Sequence, residues 1–260
     1  MAPVVLLLKS LGINNVLRFS FLSRPPAQLM VQGVELLFAL GAIDENANLT
    51  DPIGIQMAEF PVDPMLAKML LSSEKFGCSD EACTLGAMLQ VENVFFFSSN
   101  KKREAAIGKL KFSVLEGDHL TLINVYRAFV SHKKNAQWCH SNFLNYKALS
   151  RVDKIRNQLI ALLKRYDISI ISCGDDDEAI RKCIIAGFFA NVAKYHPSGE
   201  YRSIRNNHPL HLHPTCVLST ERKPPKYLIF HQVLCTSKDF MRDVTAVSYT
   251  HLTLPTICSV

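Results

Sequence analysis

The apolar residues change their rhythm twice along this chain. Val4, Val5, Leu7, Leu8 and Leu11 recur at helical spacing and stop at Gly12; Leu29, Val34, Leu36, Leu37 and Leu40 do the same before Gly41. A glycine just past the last periodic residue suits a helix C-terminus. Arg24-Pro25-Pro26 separates the two runs, because a proline pushes the residue before it out of the helical region. Residues 43–49 read as a short polar hairpin, and Thr50 or Asp51 as the cap of a further turn reaching Glu59. Helices followed by a small β-wing predict a winged-helix module over residues 1–60.

Helical spacing continues through residues 61–173 and predicts a bundle. Asp63-Pro64 starts a helix carrying Met65, Leu66, Met69 and Leu70. Ser79-Asp80-Glu81 starts the next, with Ser79 expected at the cap and the acids in the positive first turn. Residues 116–132 give a third helix. Leu149, Val152, Ile155, Leu159, Leu162 and Leu163, at steps of three and four, give a long fourth. The stretch Gly174-Asp175-Asp176-Asp177 reads as a linker and helix start, with helix expected over 180–195. The period then changes to two. Segments 201–204, 210–212, 217–219, 227–230 and 233–235 predict five short strands, hence a small OB-like β-barrel within residues 174–247. The expected fold class is multidomain α+β: winged helix, helical bundle, small barrel.

Composition changes this picture little. With 48% hydrophobic and 20% charged residues the chain is of ordinary globular type. Its net charge of +6 fits an anionic partner. The eight cysteines are scattered and form no Cys-x-x-Cys pair, so buried reduced thiols are expected rather than a zinc site. The apolar run 4–8 meets Lys9 at once, too short for a signal segment or a membrane span, and no membrane partner is expected.

Recognisable catalytic machinery is missing from the sequence. There is no Gly-x-x-x-x-Gly-Lys-Ser/Thr loop to cradle phosphates, and no Asp-Glu-x-His run. Gly-x-Ser-x-Gly, His-Glu-x-x-His and Gly-x-Gly-x-x-Gly are absent too, so no catalytic residue is assigned. His211 and His213 share one strand face and, with Cys216, form the one metal candidate; strand or RNA-contact histidines are expected instead, and no metal.

Basic residues do cluster. Lys101, Lys102, Arg103, Lys109 and Lys111 open one helix; Lys147, Arg151 and Lys154 share a face of another. Arg202, Arg205, Arg222, Lys223, Lys226, Lys238 and Arg242 decorate the barrel, interleaved with Tyr201, Tyr227 and Phe230. Cations bind phosphates and aromatic faces stack on bases; solvated charge over core aromatics is the plainer alternative. The single tryptophan, Trp138, is expected to pack between helices.

Several stretches carry a family resemblance. Leu49-Thr50 with Met57-Ala58-Glu59-Phe60-Pro61-Val62-Asp63-Pro64 and Ala67-Lys68-Met69-Leu70 resembles the junction of winged helix and bundle in DEAH-box RNA helicases. Glu116-Gly117-Asp118-His119-Leu120-Thr121-Leu122-Ile123-Asn124-Val125-Tyr126 resembles their bundle signature. Trp138-Cys139, Phe143-Leu144-Asn145-Tyr146 and Ile155-Arg156-Asn157-Gln158-Leu159 continue it in order. Gly187-Phe188-Phe189-Ala190-Asn191, Gly199-Glu200-Tyr201-Arg202, Leu212-His213-Pro214 and the segment 236–244 are similar to their OB-fold domain. The resemblance spans residues 4–247 and is nearest to the spliceosome-associated branch.

Three departures stand out: Pro214-Thr215-Cys216, the stretch 165–174, and residues 248–260, which read as a non-native or disordered tail where relatives continue with a tryptophan-containing helix. The resemblance implies that two motor domains, using ATP and Mg, precede this region in full-length relatives, and that this chain by itself holds no cofactor and hydrolyses no ATP. It names the bundle a ratchet domain and places single-stranded RNA in a channel that ratchet and OB fold help to form. A helicase activator and spliceosome proteins are the implied partners, in the nucleus and also the cytoplasm. The residues expected at RNA are Arg151 and Lys154 on the bundle and Tyr201, Arg202, His213, Lys238 and Arg242 on the barrel. Two other readings stay open: a protein-interaction module for an activator or spliceosome component, and a non-functional truncated product.

Overall fold

A computed structural model describes residues 1–96 and 102–248, the side chains of residues 102, 103 and 220 excepted. The tail from residue 249 and the side chains of the basic run 101–103 therefore lie outside the described residues.

Helices α1 (Ala2–Ser10), α2 (Ala27–Ala39) and α3 (Ile53–Glu59) form the first unit, with a wing reduced to one antiparallel bridge between Ile43 and Leu49. Thr50 ties the wing down. Its hydroxyl donates to the Gly41 carbonyl at 2.6 Å and accepts the Gly54 N–H at 2.9 Å, joining the end of α2 to the start of α3.

Six helices follow: α4 (Pro64–Ser72), α5 (Ser79–Leu89), α6 (Lys102–Leu110), α7 (Asp118–Ser131), α8 (Ala136–Ser141) and α9 (Tyr146–Arg165). Asp63 caps α4 through the Met65 N–H, and Asn145 caps α9 through the Ala148 N–H. Ser79 departs from the expectation: it is the first helical residue of α5, not its cap. Its hydroxyl donates to the Ser169 carbonyl at 2.6 Å and accepts the Ile171 N–H at 2.7 Å, strapping the bundle's exit segment to α5. The short α8, capped by Asn135, has too few apolar positions to show a period. It holds Trp138 half-buried, stacked on His132 at 4.4 Å and edge-on to Phe112.

Helix α10 (Asp177–Phe188) is capped by Asp176 and packs on α4. Through Ile180, Cys183, Ile184, Ile185 and Phe188 it joins the hydrophobic core that runs unbroken from the winged helix through the bundle. It ends seven residues short of the helix expected to 195: residues 192–195 are instead strand β1 (Val192–Tyr195). Phe230 donates its N–H to the Asn191 carbonyl, and the Asn191 amide donates to the His231 carbonyl, so the chain turns into the sheet at this point.

The barrel is completed by β2 (Tyr201–Ser203), β3 (Pro209–Leu212), β4 (Tyr227–Cys235) and β5 (Asp239–Val247), and closes in the order β1-β2-β3-β5-β4. Only β3 and β5 are parallel; the other pairs are antiparallel. The number of strands agrees with the sequence reading but their identity does not. Residues 217–220 form a 3-10 turn, the two predicted segments 227–230 and 233–235 are one strand, and β5 was not foreseen. The reason is visible along β5. Met241 and Val244 both face the barrel core although they are three apart, because Asp243 between them sits at φ +51° and resets the alternation. A strand that changes face midway shows no clean period of two.

Residues that leave the barrel outward meet different surroundings. Tyr227, Ile229 and Val247 enter the large helical core, whereas Leu228, Phe230, Met241 and Val244 fill the barrel. Arg205 of the β2–β3 loop pairs with Glu35 of α2 at 3.0 Å, so barrel and winged helix also touch. No helix among the described residues is long and apolar enough to cross a membrane.

Candidate nucleic-acid interface

The parallel pairing of β3 with β5 sets His211 opposite Phe240 and Leu212 opposite Met241. Leu210, Leu212 and Met241 point inward, so His211, His213, Phe240 and Arg242 stand together on the outer face. Phe240 lies between the two imidazoles, with ring centroids 6.0 Å from His211 and 5.9 Å from His213. All four are partly exposed, and Lys238, just before β5, is exposed. The result is a platform of three rings, with Arg242 two residues beyond Phe240 on β5 and the exposed Lys238 two residues before it.

His213 is held in a defined tautomer. Its Nδ1 accepts the Thr215 N–H at 3.2 Å and lies 2.7 Å from the Thr215 hydroxyl. The neutral ring therefore carries its proton on Nε2, a donor for phosphate or base. Burial lowers the His213 pKa, and the neighbouring Arg242 and Lys109 cations lower it further against the pull of Asp118. Below the platform, His208 Nε2 contacts Asp239 Oδ2 at 2.5 Å, tying the β2–β3 loop to the start of β5 and holding the Asp239 carboxyl below its usual range.

A clamp from the bundle holds the platform's far end. Asp118, the first residue of α7, is buried and accepts the Val217 N–H at 2.9 Å and the Val244 N–H at 3.1 Å, both from the barrel. Ala246 donates its N–H to the Glu116 carbonyl at 2.8 Å, and Gly117 bridges to Thr245. The glycine is obligatory at that point: φ is +126°, and a Cβ there would sit 2.2 Å from the Val244 carbonyl oxygen. His119 Nδ1 lies 2.8 Å from Thr245 Oγ1, while its Nε2 and the Nδ1 of His231 are buried without a hydrogen-bond partner among the described residues; the nearest carboxylate to His231 Nδ1 is Asp243 Oδ2 at 3.9 Å. Burial holds both imidazoles neutral, lowering His119 to about 3 and His231 to about 4. Lys109 of α6 completes the clamp, 3.6 Å from Asp118 Oδ1, donating to the Thr215 carbonyl and 5.3 Å from the centre of the Phe95 ring.

The residues expected at RNA fare differently. His213 and Arg242 come together on the platform, and Lys238 is exposed just before the strand that carries Arg242. Arg202 neighbours it on β2, but its guanidinium is engaged by Glu200 at 2.8 Å, and Arg202 in turn holds the Glu200 carboxyl below its usual range. Arg151 and Lys154 are exposed on α9, which packs on α5 and α8, so they do not join the barrel residues. Tyr201 is a correction. It is only 4% exposed, its ring is part of the barrel core, and its hydroxyl donates to the Pro225 carbonyl at 2.8 Å. It has no free face for a base. The ring that is partly exposed on this face is Phe240, and Lys109 of α6 stands behind it beside Asp118 and Thr215; the alternation Lys238, Phe240, Arg242 is the sequence signal for the first. Cys216 lies in the barrel core, so it does not converge with the outward rings of His211 and His213, and no group of metal-binding side chains is found among the described residues.

Comparison with known proteins agrees with this architecture. The family model for the winged-helix part of the helicase-associated domain (HA2) matches residues 33–62. The ratchet-like part of HA2 matches residues 63–122, and an oligonucleotide/oligosaccharide-binding (OB) fold matches 180–255, running past residue 247 into the segment read as a tail. The chain is 52% identical over 247 residues to "Probable ATP-dependent RNA helicase DHX35" of Pongo abelii, and 51% identical to the protein of that name from Homo sapiens. It is 42% identical over 253 residues to the DHX35 homolog of Caenorhabditis elegans. Each alignment covers 95% of this chain but only 34 or 35% of the relative, so the chain spans about one third of their length. With its winged-helix, ratchet-like and OB-fold domains in this order, the chain belongs to the DEAH-box RNA helicase family and carries that family's helicase-associated and OB regions.

Proposed function

We propose that this region grips single-stranded RNA across the outer face of the β3–β5 pair. Phe240, flanked by His211 and His213, offers ring faces to bases, and Arg242 and Lys238 neutralise phosphates. The observation that carries the reading is the insertion of Phe240 between two imidazoles in line with Arg242. The exposed cations Lys147, Arg151 and Lys154 of α9 would add backbone contacts from the ratchet side. Within a whole protein of the relatives' kind, this grip would serve ATP-driven remodelling of RNA, and pre-mRNA splicing in the nucleus is the setting the sequence resemblance favours.

The test is fluorescence anisotropy of a labelled single-stranded RNA against the 260-residue chain over a salt series. The two phosphate contacts of Arg242 and Lys238 give a slope of log affinity on log salt near roughly −1.4, steepening towards roughly −3.5 if the three α9 cations join them. Binding indifferent to salt, or unchanged after Phe240→Ala and Arg242→Ala, would sink the reading.

A second reading, docking of a protein partner, has one observation behind it. A groove of about 380 Å³ on the winged helix is lined by Leu17, Val31, Val34, Phe38 and Ile43, with Glu35, Asp44 and Glu45 at its edge. A partner using it would lose affinity on Phe38→Asp while RNA binding stayed intact.

A further inference from the structure

The platform lies on the barrel, yet the group that fixes its backbone comes from another domain. We propose that Asp118, a buried ratchet residue with no face of its own for a base, is the positioning residue of the OB platform; the inference rests on the RNA-gripping reading. Its carboxylate takes one N–H from each of the two segments that follow the platform's side chains. Val217 comes four residues after His213, and Val244 two after Arg242. Between these lies Asp243 at φ +51°, the turn of β5 that leaves Arg242 outward while Val244 enters the core. Lys109 closes the arrangement, lying near Asp118 and donating to the carbonyl of Thr215, the residue whose N–H and hydroxyl orient the His213 ring. One buried carboxylate thus joins the turn that follows His213 to the middle of β5, just past Arg242.

Charge and position make opposite forecasts here, and that separates them. Removing a negative charge beside Arg242, His213 and Lys109 strengthens RNA binding if electrostatics alone is at work. If Asp118 positions the platform, Asp118→Asn weakens binding, because an amide cannot accept both N–H groups in the same way. The expected loss is about tenfold. The slope on log salt also becomes shallower by about 0.7, one phosphate contact, as Arg242 leaves its place.

Asp118→Asn, Arg242→Ala and the double variant are compared by RNA anisotropy on the full chain, with circular dichroism reporting the fold. A double variant no weaker than Arg242→Ala alone supports the proposal, since the two changes then remove the same contact. Independent, multiplying losses overturn it, as does unchanged or tighter binding by a folded Asp118→Asn. Should that variant unfold, Val217→Pro replaces it. Cys216 before it is already extended at ψ 137°, and the first position of a helical turn accepts proline, so the N–H that Asp118 accepts is deleted without changing the charge at Asp118. The same loss of affinity and slope supports the proposal, and their retention overturns it. A wild-type chain that binds no RNA removes the underlying reading as well, whereas Arg242 dependence without Asp118 dependence removes this inference only.

Discussion

The two halves of β5 run in one strand and have opposite fates. Up to Arg242 the outward residues face solvent and form the platform; from Thr245 onward they lie under α7, and Thr245 itself is fully buried. The switch is Asp243, whose left-handed backbone lets Met241 and Val244 both fill the barrel core. A single strand can present a solvent-facing stretch and a domain weld because one residue turns it between the two. The weld half should govern stability and the open half affinity, and substitutions can separate them.

The largest effect is expected in the weld. Gly117→Ala puts a methyl group 2.2 Å from the Val244 carbonyl oxygen, on a backbone at φ +126°. Overpacking and backbone strain together predict a loss of roughly 3–5 kcal/mol in chemical denaturation. A loss under about 1 kcal/mol would mean that ratchet and barrel are not held together at this contact.

Next comes the switch residue itself. Burial is the main reason the Asp243 carboxyl rises from 3.8 to about 6, aided by Asp118 and opposed by Arg242 and Lys109. Folded Asp243 holds its proton more tightly than unfolded, so between pH 3.8 and about 6 its contribution grows as pH falls. His119 and His231 do the reverse. Their usual value is 6.5 and their folded values are about 3 and about 4, so they remove stability as pH falls through that interval. Two imidazoles outweigh one carboxyl, and the chain should lose stability from pH 6.5 towards 4. Asp243→Asn keeps a residue that tolerates the left-handed backbone and deletes a half-buried charge. Thermal melts should show it more stable at pH 7 by about 1–3 kcal/mol, with a steeper loss in acid. A variant less stable at pH 7 would show that the charge is satisfied where it lies.

On the open half, Phe240→Ala should weaken single-stranded RNA binding about tenfold while leaving the melting temperature nearly unchanged. The reverse pattern, a lower melting temperature with intact binding, would make Phe240 a packing residue and dissolve the contrast between the halves.

This contrast explains what the sequence could show. Leu149, Val152, Leu159 and Leu163 keep one face of α9 throughout, so the helix is visible as a period. The Asp63-Pro64 start of α4 acts through its nearest neighbours and is legible for the same reason. In the barrel, Met241 and Val244 break the alternation, and His211 meets Phe240 through a parallel pairing of segments about 29 residues apart, which no local pattern reports. The clamp shows the same limit. Glu116, Gly117, Asp118 and His119 stand out as a motif, but their task is set by residues 217 and 244–246, far along the chain.

Tyr201 gives the smallest and sharpest test, because sequence and structure disagree about it. Its chemistry, an aromatic ring beside Arg202, suits a base-stacking residue. Its position does not: the ring packs edge-on to Tyr195 at 5.2 Å, the hydroxyl is bonded to the Pro225 carbonyl, and burial pushes the phenol pKa up. Tyr201→Phe keeps the ring and deletes only that hydrogen bond. Stability should fall by about 1 kcal/mol, read as a drop of roughly 2–4 °C in melting temperature. RNA affinity should stay within about twofold, since no RNA contact is removed. A tenfold loss of affinity without a change in melting temperature would put the hydroxyl at the RNA after all, and would require β2 to open away from the barrel when the strand binds.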